Sequence, residues 1–131
     1  MKDFICKDFQ ESVSELLIRH KSILDIMTKL EEAQSRVNRA VAKAVTNCGC
    51  IKVNGRKQLI PLDIDIEDLR NHMSTHIEGE LCENCKDIIE KEIGNHLFYI
   101  TSLCNTLDIS LNTVLEKEYE KINTLGIYNM F

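Results

Sequence analysis

A chain of 131 residues with 21 acidic and 16 basic side chains, net charge -5, is long enough for one domain with a modest core of its own. Its lysines and arginines are dispersed among the acids, which argues against a nucleic-acid polymer as partner, because neutralising phosphates needs clustered cations. No run approaches the roughly 18 apolar residues that span a bilayer, and Met1 to Asp8 lack the apolar stretch of a signal peptide, so the chain reads as cytoplasmic, with no membrane partner.

From residue 12 to about 45, Val13, Leu16, Leu17, Ile23, Leu24, Met27, Leu30, Val37, Val41 and Val45 recur at three- and four-residue steps without Pro or Gly. That period predicts one long amphipathic helix, or two with a break near His20-Lys21-Ser22. Its second half is rich in Ala, Gln, Arg and Lys, which lose little side-chain entropy in a helix. The pattern stops at Asn47-Cys48-Gly49-Cys50. Residues 51–65 then read as an extended excursion, with a turn at Asn54-Gly55 that suits a short hairpin. A brief helix is expected from Ile66 to about His76, capped by Asp65. The next strong period runs from residue 82 or 83 to Leu107, where Ile88, Ile89, Ile93, Leu97, Phe98, Ile100, Leu103 and Leu107 share a face. After a turn at Asp108-Ile109, Ser110 is a natural N-cap for a last helix carrying Leu111, Val114, Leu115, Tyr119 and Ile122, which Gly126 ends.

The chemistry sits between these helices. Cys48-Gly49-Cys50 and Cys82-Glu83-Asn84-Cys85 are two tight pairs, and zinc takes four thiolates in a tetrahedron. The first pair closes a helix and the second opens one, where free amides and the helix dipole favour thiolate over thiol. In a reducing compartment six cysteines point to metal ligation or burial before disulfides, with Cys6 and Cys104 assigned to burial. His72 and His76, four apart, offer a mixed Cys/His shell as the main variant. With four protein ligands a zinc ion has no open position, so the site is expected to be structural, not catalytic.

A second constellation is acidic. Glu31 and Glu32 lie on the first periodic segment and Glu92 and Asn95 on the third, each inside an apolar stripe. Packed antiparallel, these helices would offer oxygen ligands to a hard cation such as Mg²⁺, whereas the plain alternative is solvated helix positions.

The stretch Glu90-Lys91-Glu92-Ile93-Gly94-Asn95-His96-Leu97-Phe98-Tyr99-Ile100, followed by Leu103, Asn105-Thr106-Leu107-Asp108-Ile109-Ser110-Leu111 and Val114-Leu115, resembles the second half of the all-α nucleoside triphosphate pyrophosphohydrolases of the MazG type. In that family a Glu-x-Gly-Asp core precedes an apolar helix, a turn and a final helix. Leu30-Glu31-Glu32-Ala33-Gln34-Ser35-Arg36-Val37-Asn38-Arg39-Ala40 is similar to the family's Glu-Glu-x-x-Glu half, and the two together cover about half the chain.

The resemblance implies an all-α helical bundle in which two acidic motifs hold Mg²⁺ against a nucleoside triphosphate, while water cleaves between the α- and β-phosphates. Glu31, Glu32 and Glu92 match the family's metal ligands. Ser35 stands where the family has its third Glu and Asn95 where it has Asp, and neutral oxygens are poorer ligands for a hard cation. Family members usually join the motifs by a short connection, so residues 47–86 read as a zinc-stabilised loop or hairpin inserted into a single domain of residues 1–131. Family relatives are commonly dimers or tetramers, and the long apolar stripes here predict a homo-oligomer, with a dimer favoured.

Two functions of different class follow. One is a degenerate, non-catalytic module that binds a nucleotide or a protein; the other is a Mg²⁺-dependent pyrophosphohydrolase with a reduced ligand set. The Ser35 and Asn95 replacements favour the first.

Overall fold

The computed structural model describes residues 2–126. Among them the chain forms five α-helices, α1 (Lys2–Leu16), α2 (Ile23–Lys43), α3 (Ile66–Leu69), α4 (Glu83–Thr106) and α5 (Leu111–Leu125). A π-helical turn, Ala44–Cys48, extends α2, and two short strands, β1 (Ile51–Val53) and β2 (Ile77–Gly79), form an antiparallel sheet. The fold is mainly helical, and no described helix is long and apolar enough to cross a membrane.

The long N-terminal period resolves into two helices. The break falls where His20-Lys21-Ser22 suggests it, and Ser22 takes up extended backbone with its hydroxyl accepting the Leu24 N–H at 3.3 Å. α1 begins well before residue 12, because Ile5, Phe9, Val13 and Leu16 carry the same step upstream. At the other end, Ser110 caps α5 by accepting the Thr113 N–H at 3.2 Å, and Gly126 follows its last residue at positive φ.

α2 and α4 are the main packing pair. They run antiparallel: Ala40, Lys43 and Ala44 share a cavity with Asn84, Cys85 and Ile88, while Lys29, Ala33 and Arg36 share another with Asn95 and Tyr99. Small side chains let the backbones approach, and Ala33 and Ala44 are both buried. Ile26 is fully buried, as are Thr101 and Ser102 of α4, where Ser102 Oγ donates to the Phe98 carbonyl at 2.9 Å. At the opposite end of the pair Ala44, Ile51, Cys85 and Ile89 form a compact cluster, with Ala40, Val45, Cys50 and Cys82 against it. The cysteine segment is thus continuous with the core.

The segment between the two cysteine pairs departs from expectation twice. β1 does not fold back at Asn54-Gly55 as a hairpin; it pairs with β2, with Ile51 opposite Gly79 and Val53 opposite Ile77. The strands stay joined because the Asn54 N–H donates to the His76 carbonyl and Asn54 Nδ2 to Glu78 Oε1, both at 2.8 Å. Farther out, Gln58 bonds both backbone groups of Ser74 at 2.8 Å, which closes the loop between the strands. The second departure is α3, which ends at Leu69 instead of near His76. Asp65 precedes it without a side-chain cap bond, and four residues cannot offset the cost of helix nucleation beyond their own turn.

α1 packs across α4 and α5. Gln10 is the joint: its Nε2 donates to Asn105 Oδ1 (2.9 Å) and the Ile109 carbonyl (2.8 Å), and its Oε1 accepts the Leu111 N–H (2.9 Å). Asn105 Nδ2 returns a bond to the Gln10 carbonyl at 3.1 Å. Gln10→Ala leaves the α4–α5 turn without these partners, and should cost about 1–3 kcal/mol in urea unfolding. An unchanged midpoint would show that α1 is not docked through this side chain.

Candidate metal centre

The end of α2 is shaped to present sulfur. In the π-helical turn the Gly49 N–H reaches back five residues to the Ala44 carbonyl at 2.9 Å, which widens the last turn and swings Cys48 outward. Gly49 then adopts φ 76°, a left-handed conformation that glycine takes without Cβ strain. The reversal brings Cys50 back towards the helix, where its Sγ lies 3.8 Å from the Ala44 carbonyl.

The second pair is set by a helix start. Cys82 is the N-cap of α4, with extended backbone and its Sγ accepting the Cys85 N–H at 3.4 Å. Cys85 points from the first turn into the cluster around Ile89 and is buried, whereas Cys48 is exposed and Cys50 and Cys82 are half-buried.

The four sulfurs converge. Cys48, Cys50, Cys82 and Cys85 place their Sγ atoms within 4.8 Å of one another, and Cys48 and Cys82 are 3.8 Å apart. This set could hold a metal ion. Among the described residues no other group of three or more His, Cys, Asp or Glu side chains is close enough to share one. Neither His72 nor His76 belongs to it: α3 ends before both, His72 lines a separate surface cavity, and His76 sits at φ 60° just before β2. Of the remaining cysteines, Cys104 is buried, as assigned, and Cys6 is half-buried.

Proton affinities within the quartet are split. The Cys85 N–H aimed at Cys82 Sγ holds the Cys82 thiol down to about 7, below its ordinary 9.0. Hydrogen bonding to the Cys82 sulfur, with burial adding to it, pushes Cys85 up to about 12. In the metal-free protein Cys82 is therefore the first thiolate and Cys85 the donor beside it.

One residue of the centre carries no chemical group and was not singled out from sequence. Gly79 of β2 has φ 87°, and a Cβ there would lie 2.6 Å from the Cys50 carbonyl oxygen. β2 is pressed against the first cysteine turn in a way that only glycine allows. Glu-Gly-Glu is an unremarkable tripeptide, and only the pairing of Gly79 with Ile51 exposes its role.

The acidic residues do not converge in the same way. Glu32 and Asn95 line one cavity of about 160 Å³, together with Lys29, Arg36 and Tyr99. Glu32 is held by Lys29 and Arg36, each at 3.4 Å. Glu31 and Glu92 do not line that cavity; Glu31 is exposed and Glu92 half-buried.

The arrangement defines a class: a helical hairpin whose two facing ends meet at a four-cysteine cluster that could hold a metal ion. No protein-family model matches the chain, and no solved structure matches it. Among curated proteins, the chain is similar to the Sigma-G-dependent sporulation-specific SASP protein of Bacillus subtilis (strain 168), 34% identical over 58 residues, which span 44% of this chain and 71% of that protein. The chain belongs to the family of that protein.

Gly79→Ala should lower the unfolding free energy by about 1–3 kcal/mol through strain at positive φ and the displaced Cys50 turn. It should also weaken metal uptake. Wild-type stability and uptake in that variant would show that the approach of β2 is incidental.

Proposed function

We propose that this chain is a zinc-stabilised, non-catalytic helical module that binds a protein partner, working in sporulation. The observation that carries the reading is the sulfur quartet. Zinc bound at about 2.3 Å to four thiolates sets sulfur–sulfur edges of about 3.8 Å. The Cys48–Cys82 separation of 3.8 Å already meets that edge, and the 4.8 Å spread of the set closes to it with small side-chain movements. Four sulfurs complete the shell and leave no position for water or substrate, so the ion is a clasp and not a reagent.

Electrostatics favour an ion at this point of the fold. The carbonyl end of α2 meets the amide end of α4, so the cation lies by the negative pole of one helix and the thiolates by the positive pole of the other. The Cys85 N–H to Cys82 Sγ bond supports a thiolate ligand from outside the shell. The sporulation setting is extended from the name of the Bacillus subtilis relative, described as sigma-G-dependent and sporulation-specific.

The non-catalytic reading also has support in the acidic cavity. Lys29 and Arg36 occupy Glu32, and two cations beside a lone carboxylate oppose Mg²⁺ instead of attracting it. The alternative, a MazG-like pyrophosphohydrolase, predicts pyrophosphate release from nucleoside triphosphates with Mg²⁺ or Mn²⁺ that Glu92→Ala abolishes. We expect no turnover across such a panel; turnover lost in that variant would overturn the non-catalytic reading.

For the metal, protein prepared without added zinc should contain about one zinc per chain by elemental analysis. Cys82→Ser should lose it together with about 3 kcal/mol or more of stability, since metal binding is coupled to folding. Absence of metal, or an unaffected Cys82→Ser variant, would remove zinc from the account.

Binding should also release protons. Because Cys85 is held at about 12 before the metal arrives, its thiol is protonated at neutral pH and must give up that proton. Zinc affinity should therefore rise with pH between about 6 and 8. Calorimetry in buffers of different ionisation enthalpy measures the proton count, and a pH-independent affinity would contradict the thiolate shell.

A further inference from the structure

The four sulfurs of the cluster differ in how far solvent reaches them. Cys48 is exposed at the end of the π-helical turn, Cys50 and Cys82 are half-buried, and Cys85 is buried. A cavity of about 220 Å³ lies beside the cluster, and Cys48 and Cys85 both line it, with Lys43, Asn47 and Asn84 as its polar neighbours. Cys48 is therefore the sulfur that a small oxidant in solution meets first, since thiolate oxidation follows access as well as charge.

The resolving sulfur lies on the other helix. Cys48 Sγ is 3.8 Å from Cys82 Sγ. A disulfide needs about 2.05 Å, so the bond takes about 1.8 Å of approach, a movement within reach of an exposed side chain.

Topology gives this pair a consequence that the other pairings in sequence lack. A bond within Cys48-Gly49-Cys50, or within Cys82-Glu83-Asn84-Cys85, ties one turn to itself. A Cys48–Cys82 bond joins the end of α2 to the start of α4 across a separation of 34 residues, and so removes freedom from the unfolded chain. It links the same two helix ends as an ion held by all four sulfurs.

We propose that Cys48 and Cys82 are a peroxide-sensitive pair, whose oxidation to a disulfide expels the zinc ion and replaces it as the link between α2 and α4. Expulsion of the ion rests on the zinc reading above, whereas the bond rests on the sulfur geometry alone. The Cys48 thiolate attacks hydrogen peroxide and the O–O bond breaks; one oxygen stays on sulfur as a sulfenic acid, and the other leaves as hydroxide and takes up a proton. The Cys82 thiolate then attacks that sulfur, the S–O bond breaks, and a second hydroxide leaves and is protonated. Two thiolates lose two electrons, and one peroxide is reduced to two waters. Cys50 and Cys85 remain, and two ligands do not complete the tetrahedral shell that zinc takes. The helix ends stay joined while these two thiols are released.

Titration of the zinc-loaded chain with hydrogen peroxide tests this, followed by peptide mapping without reduction and by a chromogenic zinc chelator. Metal content before peroxide is added reads the zinc assignment by itself, and the map reads the bond whether or not metal is present. The expected product has lost about 2 Da per chain, carries Cys48–Cys82 as its main linkage and has released about one zinc per disulfide. Dithiothreitol with added zinc should restore the starting state. Cys48→Ser should form at least about tenfold less disulfide under the same conditions, because the exposed sulfur is gone. A main linkage within either cysteine pair, or to Cys6 or Cys104, would overturn the proposal. So would oxidation that yields no disulfide, or zinc retained after the Cys48–Cys82 bond has formed.

Discussion

The structure depends on the meeting of two helix ends. The widened last turn of α2 and the first turn of α4 each deliver a pair of sulfurs to one point, with Sγ atoms within 4.8 Å. Four thiols so close are poor neighbours without a cation, because deprotonating one raises the proton affinity of the next. The split between Cys82, near 7, and Cys85, near 12, follows from the Cys85 N–H and thiol that both bond the Cys82 sulfur, with burial adding to the rise at Cys85. A tetrahedral dication would turn the same crowding into attraction. It would also fix the register of the antiparallel pair, since α2 could not then slide along α4 without tearing the quartet apart.

The segment between the cysteine pairs has little structure of its own. Apart from the four residues of α3 and the two three-residue strands, residues 51–81 are held by a few side-chain bonds, from Asn54 and Gln58 across to Glu78 and Ser74. Its two ends, at Cys50 and at Cys82, come together at the sulfur cluster. Gly79 shows how tight the tie is, with β2 backbone against the Cys50 carbonyl. The segment also leaves Leu59 and Leu62 in solvent, and α5 leaves Val114, Leu115, Tyr119, Ile122 and Leu125 there.

Much of this was legible in the residues. The helices follow from apolar steps of three and four, and Ser22, Ser110 and Gly126 mark their limits because caps satisfy backbone groups locally. The cysteine pairs were readable because thiolate ligation has a strict spacing in sequence. What could not be read was non-local. Asn54-Gly55 is a good hairpin turn by composition, yet β1 finds its partner some two dozen residues away, because the clasp brings that segment beside it. His72 and His76 looked like a helical pair until α3 ended at Leu69. The acidic constellation shows the opposite difficulty. Glu31, Glu32, Glu92 and Asn95 have the right residue types, but a carboxylate's role is fixed by what surrounds it, and at Glu32 that is Lys29 and Arg36.

In the proposed function four thiolates, and nothing else, surround one zinc ion. X-ray absorption at the zinc edge of the purified protein reads the shell directly. Four sulfur neighbours at about 2.3 Å, with no nitrogen or oxygen bound to the metal, are expected. A shell containing an imidazole nitrogen or a water oxygen would contradict it.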